Sequence, residues 1–266
     1  MDAASVAFLE PSNLKGFQAG GSRDAQPPSI PRLFLDAMEV RGKVFVQEQK
    51  VPQENEFDSD DSRACHWIVY AKSNHTARPV VPNGCGNAVQ PRQSSTRKTP
   101  VGTVRLVPFP HDPHPKAGGS YWNGALEGEQ PASDNEDATA KPLLADRPTS
   151  FHDGQEPYVK LGRLAVVKEC RGQRLAGLLV HAALSWLKAN PSYFDEAVTE
   201  PGSEQETSAH LETPKWEGLV CAHAQEQAVG AWAKWGFHVD DAMGRWFEEG
   251  IPHIGMFQRL NIDQLP

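Results

Sequence analysis

Cysteine is scarce in this 266-residue chain: Cys65, Cys85, Cys170 and Cys221 are the only four, and they never form a CxxC pair. Such spacing excludes a disulfide framework and thiolate zinc sites, so four free thiols are expected, as in a reducing compartment. Long apolar runs are absent too. No stretch approaches the length that spans a bilayer, and the opening MDAASVAFLEPSNLKGF lacks the basic and apolar regions of a signal peptide. A membrane role is thereby excluded and a cytoplasmic location expected, with a nuclear one left open. Positive charge is likewise short, with 26 Lys plus Arg against 34 Asp plus Glu and a net charge of −8. General attraction to nucleic acid is therefore not expected, whereas an acidic surface suits a cationic amine.

Hydrophobic residues make up only 39% of the chain, while Gly and Pro contribute 22 residues each. Much of the sequence therefore reads as loop. Residues 75–100, 108–157 and 192–214 are rich in Pro, Gly, Ser and charge and have little periodicity, so they read as insertions adding little to a core. Residues 1–31 read as a partly ordered N-terminal arm. The rest, 32–266, is expected to form a single domain once the insertions are set aside.

The remaining segments carry clear signals. Leu33, Phe34, Ala37 and Met38 follow helical spacing, and residues 65–71 and 101–107 are short β-rich runs. Residues 158–167 (YVKLGRLAVV) read as a long central strand that leads through an Arg-Gly turn into the strongest helix. That helix places Leu175, Leu178, Leu179, Ala182, Ala183, Trp186 and Leu187 on one face and ends at Asn190-Pro191. Residues 218–224 resemble a buried strand, and residues 226–235 a helix closed by Gly236. Two closing strands follow around a turn at Glu249-Gly250, the second over residues 253–260. This order implies an α/β fold with a mixed central sheet flanked by helices.

The strand-to-helix junction is the informative place. A strand running into such a turn and then a helix N-terminus exposes backbone N–H groups and a positive dipole end, which suits a pyrophosphate. Arg171 and Arg174 add charge. Leu164-Ala165-Val166-Val167 followed by Arg171-Gly172-Gln173-Arg174-Leu175-Ala176-Gly177 resembles the acyl-CoA motif of the GNAT superfamily of acyl-CoA N-acyltransferases. Arg174 stands where the motif usually has Gly, as in the variant loop of the ElaA-like branch. Residues 41–61, Ala224-Gln225 with Trp235-Gly236-Phe237, and residues 249–256 resemble that branch as well.

The resemblance implies a GNAT fold in which two parallel strands splay apart, with Leu164 and Val166 offering main-chain hydrogen bonds to pantetheine. Ala165 would lie between them, residues 171–176 would wrap the pyrophosphate, and Gly177 and Gln225 would complete the cofactor site. Acetyl-CoA is the implied co-substrate and no metal is required. The implied reaction is direct attack, in a ternary complex, by a primary amine of a small molecule. A protein N-terminus or lysine is the alternative acceptor, and a CoA-binding regulatory protein without strong turnover is the alternative of another class. Where many GNAT enzymes carry an Asn and an acidic Tyr, this chain has Gly230 and Trp232, and an indole cannot serve as that acid. For the base, Glu48 is the first candidate, since the segment after the first helix lies on the acceptor side in this family. His253 is the second, His223 a weaker one, and Asp60 and Asp61 read equally well as a solvated turn. An exposed last strand leaves monomer and homodimer both open.

Overall fold

The computed structural model describes residues 4–73, 97–128, 146–195 and 215–262. Its centre is a ten-stranded mixed sheet. In chain order the strands are β1 (Ser5–Leu9), β2 (Cys65–Ser73), β3 (Arg97–Val107), β4 (Ser120–Trp122), β5 (Ala125–Leu126), β6 (Val159–Val166), β7 (Leu219–Gln225), β8 (His238–Val239), β9 (Arg245–Glu248) and β10 (Ile251–Arg259). Across the sheet they run β1-β2-β3-β6-β7-β10-β9-β4-β5, and β8 pairs with β10. Only β6 with β7 and β4 with β9 are parallel. The helices are α1 (Arg32–Arg41), continued by a π-helical stretch Gly42–Glu48, α2 (Leu175–Ala189) and the short α3 (Val229–Lys234).

Strand alternation puts α1 and α2 on opposite faces of the sheet. On β2, His66 lies edge-on to Phe34 of α1 and the Tyr70 hydroxyl donates to Asp36 of α1 at 2.7 Å. Trp67, one residue from His66, meets Trp186 of α2 instead. Helix α2 buries Leu175, Leu179, Val180, Ala183, Leu184 and Leu187. Leu178, expected on that face, is 40% exposed, because the buried stripe is shifted by the i, i+4 pair Val180 and Leu184. The closing hairpin turns where expected, with Glu249 at φ 51° and Gly250 at φ 74°, the two left-handed residues that a tight strand reversal requires.

Four expectations differ from what the fold contains. The N-terminal segment supplies β1, which pairs antiparallel with β2 from Ser5↔Tyr70 to Leu9↔His66. Phe8 of β1 packs against Trp67 and Trp186, and Leu14 and Ile30 are buried beside Phe34, so the arm is part of the core. Residues 97–100 already belong to β3. The connection from β3 to β6 contributes β4, whose Ser120 and Tyr121 pair with Phe247 and Glu248, together with the buried Phe109, His114 and His152. Phe194, at the start of the third expected insertion, is also buried. Residues 74–96, 129–145 and 196–214, Cys85 included, lie outside the described residues; Cys65, Cys170 and Cys221 are free thiols.

Charged side chains occupy the α1 face. Arg41, with no exposed surface, donates to Glu56 Oε1 at 2.6 Å, to Asp61 Oδ1 at 2.6 Å and to the Glu56 carbonyl. Arg105 of β3 donates to both oxygens of Asp58 at 2.6 and 3.0 Å and lies 2.8 Å from Asp61. Arg163 of β6 reaches Asp58 Oδ2 at 3.0 Å. Arg41, Arg105 and Arg163 thus balance Glu56, Asp58 and Asp61. The pair read as a solvated turn divides: Asp61 is 1% exposed within this network, whereas Asp60 pairs with Arg63 at 2.8 Å.

Removing one member leaves an uncompensated charge where water cannot reach it, so Asp61→Asn is expected to cost about 3–5 kcal/mol, measured by urea unfolding. Burial opposes ionisation of Asp58, but Arg105 and Arg163 prevail and hold its carboxyl at about 2. A folded value below the unfolded one of about 3.9 means that this stability is complete above the unfolded value. It is lost as pH falls through the interval from about 4 to about 2. An acid series of melting temperatures should show that loss, and Asp58→Asn should flatten it.

Candidate functional site

Strands β6 and β7 run together only at their beginnings, with Val159↔Val220, Lys160↔Cys221 and Leu161↔Ala222 as the paired residues. Residues 162–166 and 223–225 then diverge. The cause is a bulge in β6: Gly162 faces Arg105 and Ala165 faces Thr103, so Arg163 and Leu164 share one partner position on β3. Arg163 has φ 48°, a left-handed backbone that bends the bulged strand. Past the bulge, β6 keeps β3 on one edge and has no strand on the other among the described residues. Backbone groups aimed that way are available to an extended ligand.

The widening gap ends at the expected turn. A 3-10 turn at Lys168–Cys170 is followed by Gly172 at φ 77° and Arg174 at φ 62°, and α2 begins at Leu175. The unusual Arg in the motif therefore adopts the left-handed conformation that glycine favours, which keeps the turn's shape without the glycine. A Cβ built on Gly172 would meet nothing within 4 Å, so the turn is open on that side. The Leu178 N–H makes a bond to the Arg174 carbonyl at 3.1 Å; the N–H groups of the helix's first turn precede it and have no intrahelical acceptor. Gln173, Leu175 and Ala176 flank this opening, and Gly177 lets the Trp235 indole approach to 3.1 Å of its Cβ position.

Two consecutive residues close the mouth of the gap. Glu48, at the end of the π-helical stretch, takes both guanidinium nitrogens of Arg171 at 2.6 and 2.7 Å, while Arg171 Nε donates to the Val166 carbonyl at 3.0 Å. Gln49 exchanges amide hydrogen bonds of 3.1 and 2.8 Å with Gln225 at the end of β7. One splayed strand is thus tied through Glu48 and the other through Gln49. The hydrogen bond from Arg171 lowers the Glu48 pKa, and Glu48 in turn raises that of Arg171. The first candidate base and a candidate pyrophosphate ligand are therefore partners of each other.

The second candidate, His253, sits elsewhere, with a neighbour that sequence reading missed. Its Nδ1 donates to the Ile251 carbonyl at 2.8 Å, and its Nε2 lies 3.8 Å from Glu248. Glu248 also accepts from His223 Nδ1 at 2.9 Å and from the Trp246 indole at 2.8 Å. Burial disfavours the charged carboxylate, yet the contacts from His223, His253 and Trp246 hold its pKa well down. Burial lowers the His223 pKa against the opposing pull of Glu248, and its buried Nε2 has no hydrogen-bond partner among the described residues. His223 is the first residue of β7 beyond the pairing with β6. Glu248 was obscured because it precedes the Glu249-Gly250 turn; the signal was the strand alternation Trp246, Glu248 beside two histidine-bearing strands. Trp232, in the place of the expected acid, is 4% exposed and packs edge-on against Trp235 and Phe237.

No family model matches the chain, and no curated protein does. Among solved structures it is similar to a protein of Lactobacillus plantarum assigned as an N-acetyltransferase, at 16% identity and TM-score 0.47, covering 98% of this chain and 100% of that one. Escherichia coli ElaA follows at 15% identity and TM-score 0.45, with 97% and 100% covered. An acyl-CoA N-acyltransferase from Pseudomonas aeruginosa is similar at 17% identity and TM-score 0.43, with 96% and 99% covered. These likenesses concern the fold. Among the described residues, no helix is long and apolar enough to cross a membrane.

The Glu48–Arg171 pair joins side chains that are 37% and 43% exposed, so solvent screens it. Glu48→Gln is expected to lower stability by less than about 1 kcal/mol, read from the urea midpoint at unchanged slope.

Proposed function

We propose that this chain is an acyl-CoA N-acyltransferase that moves an acetyl group from acetyl-CoA to a primary amine of a small molecule. The observation that carries the reading is the gap between β6 and β7 ending at the open, arginine-bearing turn before α2. In this reading the main chain of Leu164 and Val166 pairs with pantetheine. Residues 171–176 receive the pyrophosphate on helix N–H groups and on the Arg171 and Arg174 guanidinium groups. Gly177 and Gln225 border the same space. The pyrophosphate competes with Glu48 for Arg171, so its arrival frees a carboxylate at the mouth of the gap.

The amine attacks the thioester carbonyl, a C–N bond forms, the C–S bond breaks, and the amine proton must leave. Glu48 gains the capacity to accept that proton once Arg171 turns to phosphate. His253 has its ring fixed by Ile251 and faces Glu248. His223 is the better equipped histidine, because Glu248 holds its Nδ1 proton and leaves the Nε2 lone pair for the amine or an intervening water. This division gives Glu48 the charge balance of the cofactor site and gives His223, oriented by Glu248, the proton.

Acetyl-CoA should raise the melting temperature by mass action. Arg171→Glu and Arg174→Glu should each weaken binding in calorimetry by about 1.5–3 kcal/mol for each charge-assisted hydrogen bond lost. Unchanged affinity in both variants would remove the cofactor site. Turnover is followed as CoA release over a panel of small primary amines and lysine peptides. Binding without turnover on any amine would instead favour a regulatory CoA-binding protein.

For the base, His223→Gln should keep CoA affinity and lower turnover by about 10²–10⁴ at pH 7, with the loss shrinking as pH rises and free amine accumulates. If Glu48→Gln or His253→Gln shows that pattern and His223→Gln does not, the role passes to that residue.

A further inference from the structure

The connection between β3 and β6 brings together three side chains that the proposed acyl transfer does not use. His114, Asp146 and His152 each offer a ligand atom, and these atoms lie within 4.8 Å of one another. His114 and His152 are each 4% exposed, and the His114 ring has no exposed surface. His152 Nε2 lies 2.9 Å from the Glu156 carbonyl, His152 Nδ1 lies 2.9 Å from His114 Nε2, and His114 Nδ1 lies 3.6 Å from Asp146 Oδ2.

Counting protons along this chain shows a deficit. The Glu156 carbonyl only accepts, so His152 carries its proton on Nε2 and presents a lone pair at Nδ1. If His114 fills the next contact with a proton on Nε2, its Nδ1 lone pair points at a carboxylate. If it carries the proton on Nδ1 instead, two nitrogen lone pairs face each other at 2.9 Å. Two neutral imidazoles bring two protons, which fill the contacts to the Glu156 carbonyl and between the rings and leave His114 Nδ1 bare, 3.6 Å from Asp146 Oδ2. His114 Nδ1 is indeed a buried nitrogen without a hydrogen-bond partner. A third proton would create an imidazolium with no exposed surface, and burying that charge is costly.

We propose that His114, Asp146 and His152 bind a divalent transition-metal ion of the zinc type. Two imidazoles and one carboxylate form a borderline donor set that favours zinc over magnesium or calcium. Zinc–ligand bonds of about 2.0–2.1 Å require the His114 ring to turn so that one of its nitrogens faces the His152 and Asp146 donor atoms together. The Glu156 carbonyl supplies the outer hydrogen bond that orients His152, with Nδ1 as its ligand atom. A cavity of about 30 Å³, lined by Asp146, His152, Glu156 and Tyr158 among others, has room for a water as fourth ligand. The sequence reading expected no metal, and none is needed for acyl transfer; this ion is structural. His114 and Asp146 stand 32 positions apart, so the ion cross-links the two stretches that carry them onto the core beside Tyr158 and Phe257. The site is independent of the acyl-CoA reading.

The test uses the full chain, stripped with a chelator and titrated with Zn²⁺ in competition with a chromophoric chelator. One equivalent should bind and raise the melting temperature, and His152→Gln and Asp146→Asn should each weaken binding at least about tenfold. Co²⁺ bound to the unaltered chain should give a visible spectrum without a thiolate charge-transfer band, a readout that does not require the variants to fold. Absence of stoichiometric binding, equal affinity in the variants, or a thiolate band placing the ion on a cysteine would each overturn the proposal.

Discussion

The site's geometry depends on the charge balance beneath the bulge of β6. Arg163 leaves the strand in a left-handed conformation that a non-glycine residue adopts at a cost of order 1–3 kcal/mol. That conformation persists because its guanidinium meets Asp58, which Arg105 holds with two hydrogen bonds from the neighbouring strand. Asp58 and Asp61 in turn cap the 3-10 turn at Ser59–Ser62, Asp58 accepting from the Asp60 N–H and Asp61 from the Asp58 N–H. Arg41 ties that turn to α1 through Asp61 and Glu56. Since an unpaired charge there would be severely destabilising, the helix, the turn and the bulge have one mutually consistent arrangement. The bulge separates β6 from β7, and the chain leaving α1 carries Glu48 and Gln49 to the ends of the two separated strands.

The gap is in this sense a consequence of packing rather than a hole left by missing residues. A parallel pair normally continues until a strand ends, because each unpaired N–H and C=O inside a protein is costly. Here pairing stops after Leu161↔Ala222 while both strands continue. The exposed edge suits a ligand that is itself extended and amide-bearing. Its far end, the turn before α2, suits an anion. Glu48 holds the Arg171 guanidinium beside that turn, and the pair is exposed enough that exchanging one oxyanion partner for another would cost little.

Residues 158–189 were legible because a strand of β-branched residues gives way to a helical period within one turn, and each signal is local. Arg174 was legible as a departure, and its φ of 62° explains how the departure is accommodated. Strand β1 was not legible: the five residues Ser5–Leu9 are too few for periodicity, and its pairing with β2 is a contact across more than fifty positions. The same holds for β4, a three-residue strand that joins the sheet through β9, far along the chain, besides pairing with β5. Among the candidate bases, the family resemblance implied that Glu48 lies near the acceptor side and could not show that Arg171 would claim it. Glu248 was hidden for the converse reason, since its meaning comes from His223 and His253 on other strands. Pairing partners of buried charges are tertiary facts, and composition carries no trace of them.

The burial of Trp232 bears on which proton transfer the proposed reaction can dispense with. A thiol resembling cysteine has a pKa of about 8.5, and a primary amine resembling lysine one of about 10.4. When an amine adds to a thioester, the tetrahedral intermediate first carries a protonated nitrogen, and a neutral amine leaves from it more readily than a thiolate. Collapse toward product therefore requires that nitrogen to lose its proton. The thiolate, once expelled, takes a proton from water without much difficulty. A dedicated acid accelerates the second event, whereas a base governs the direction of the first. In the proposed reaction, His223 oriented by Glu248 would serve the step on which the outcome depends, and the packed Trp232 indole stands where only the dispensable acid would act.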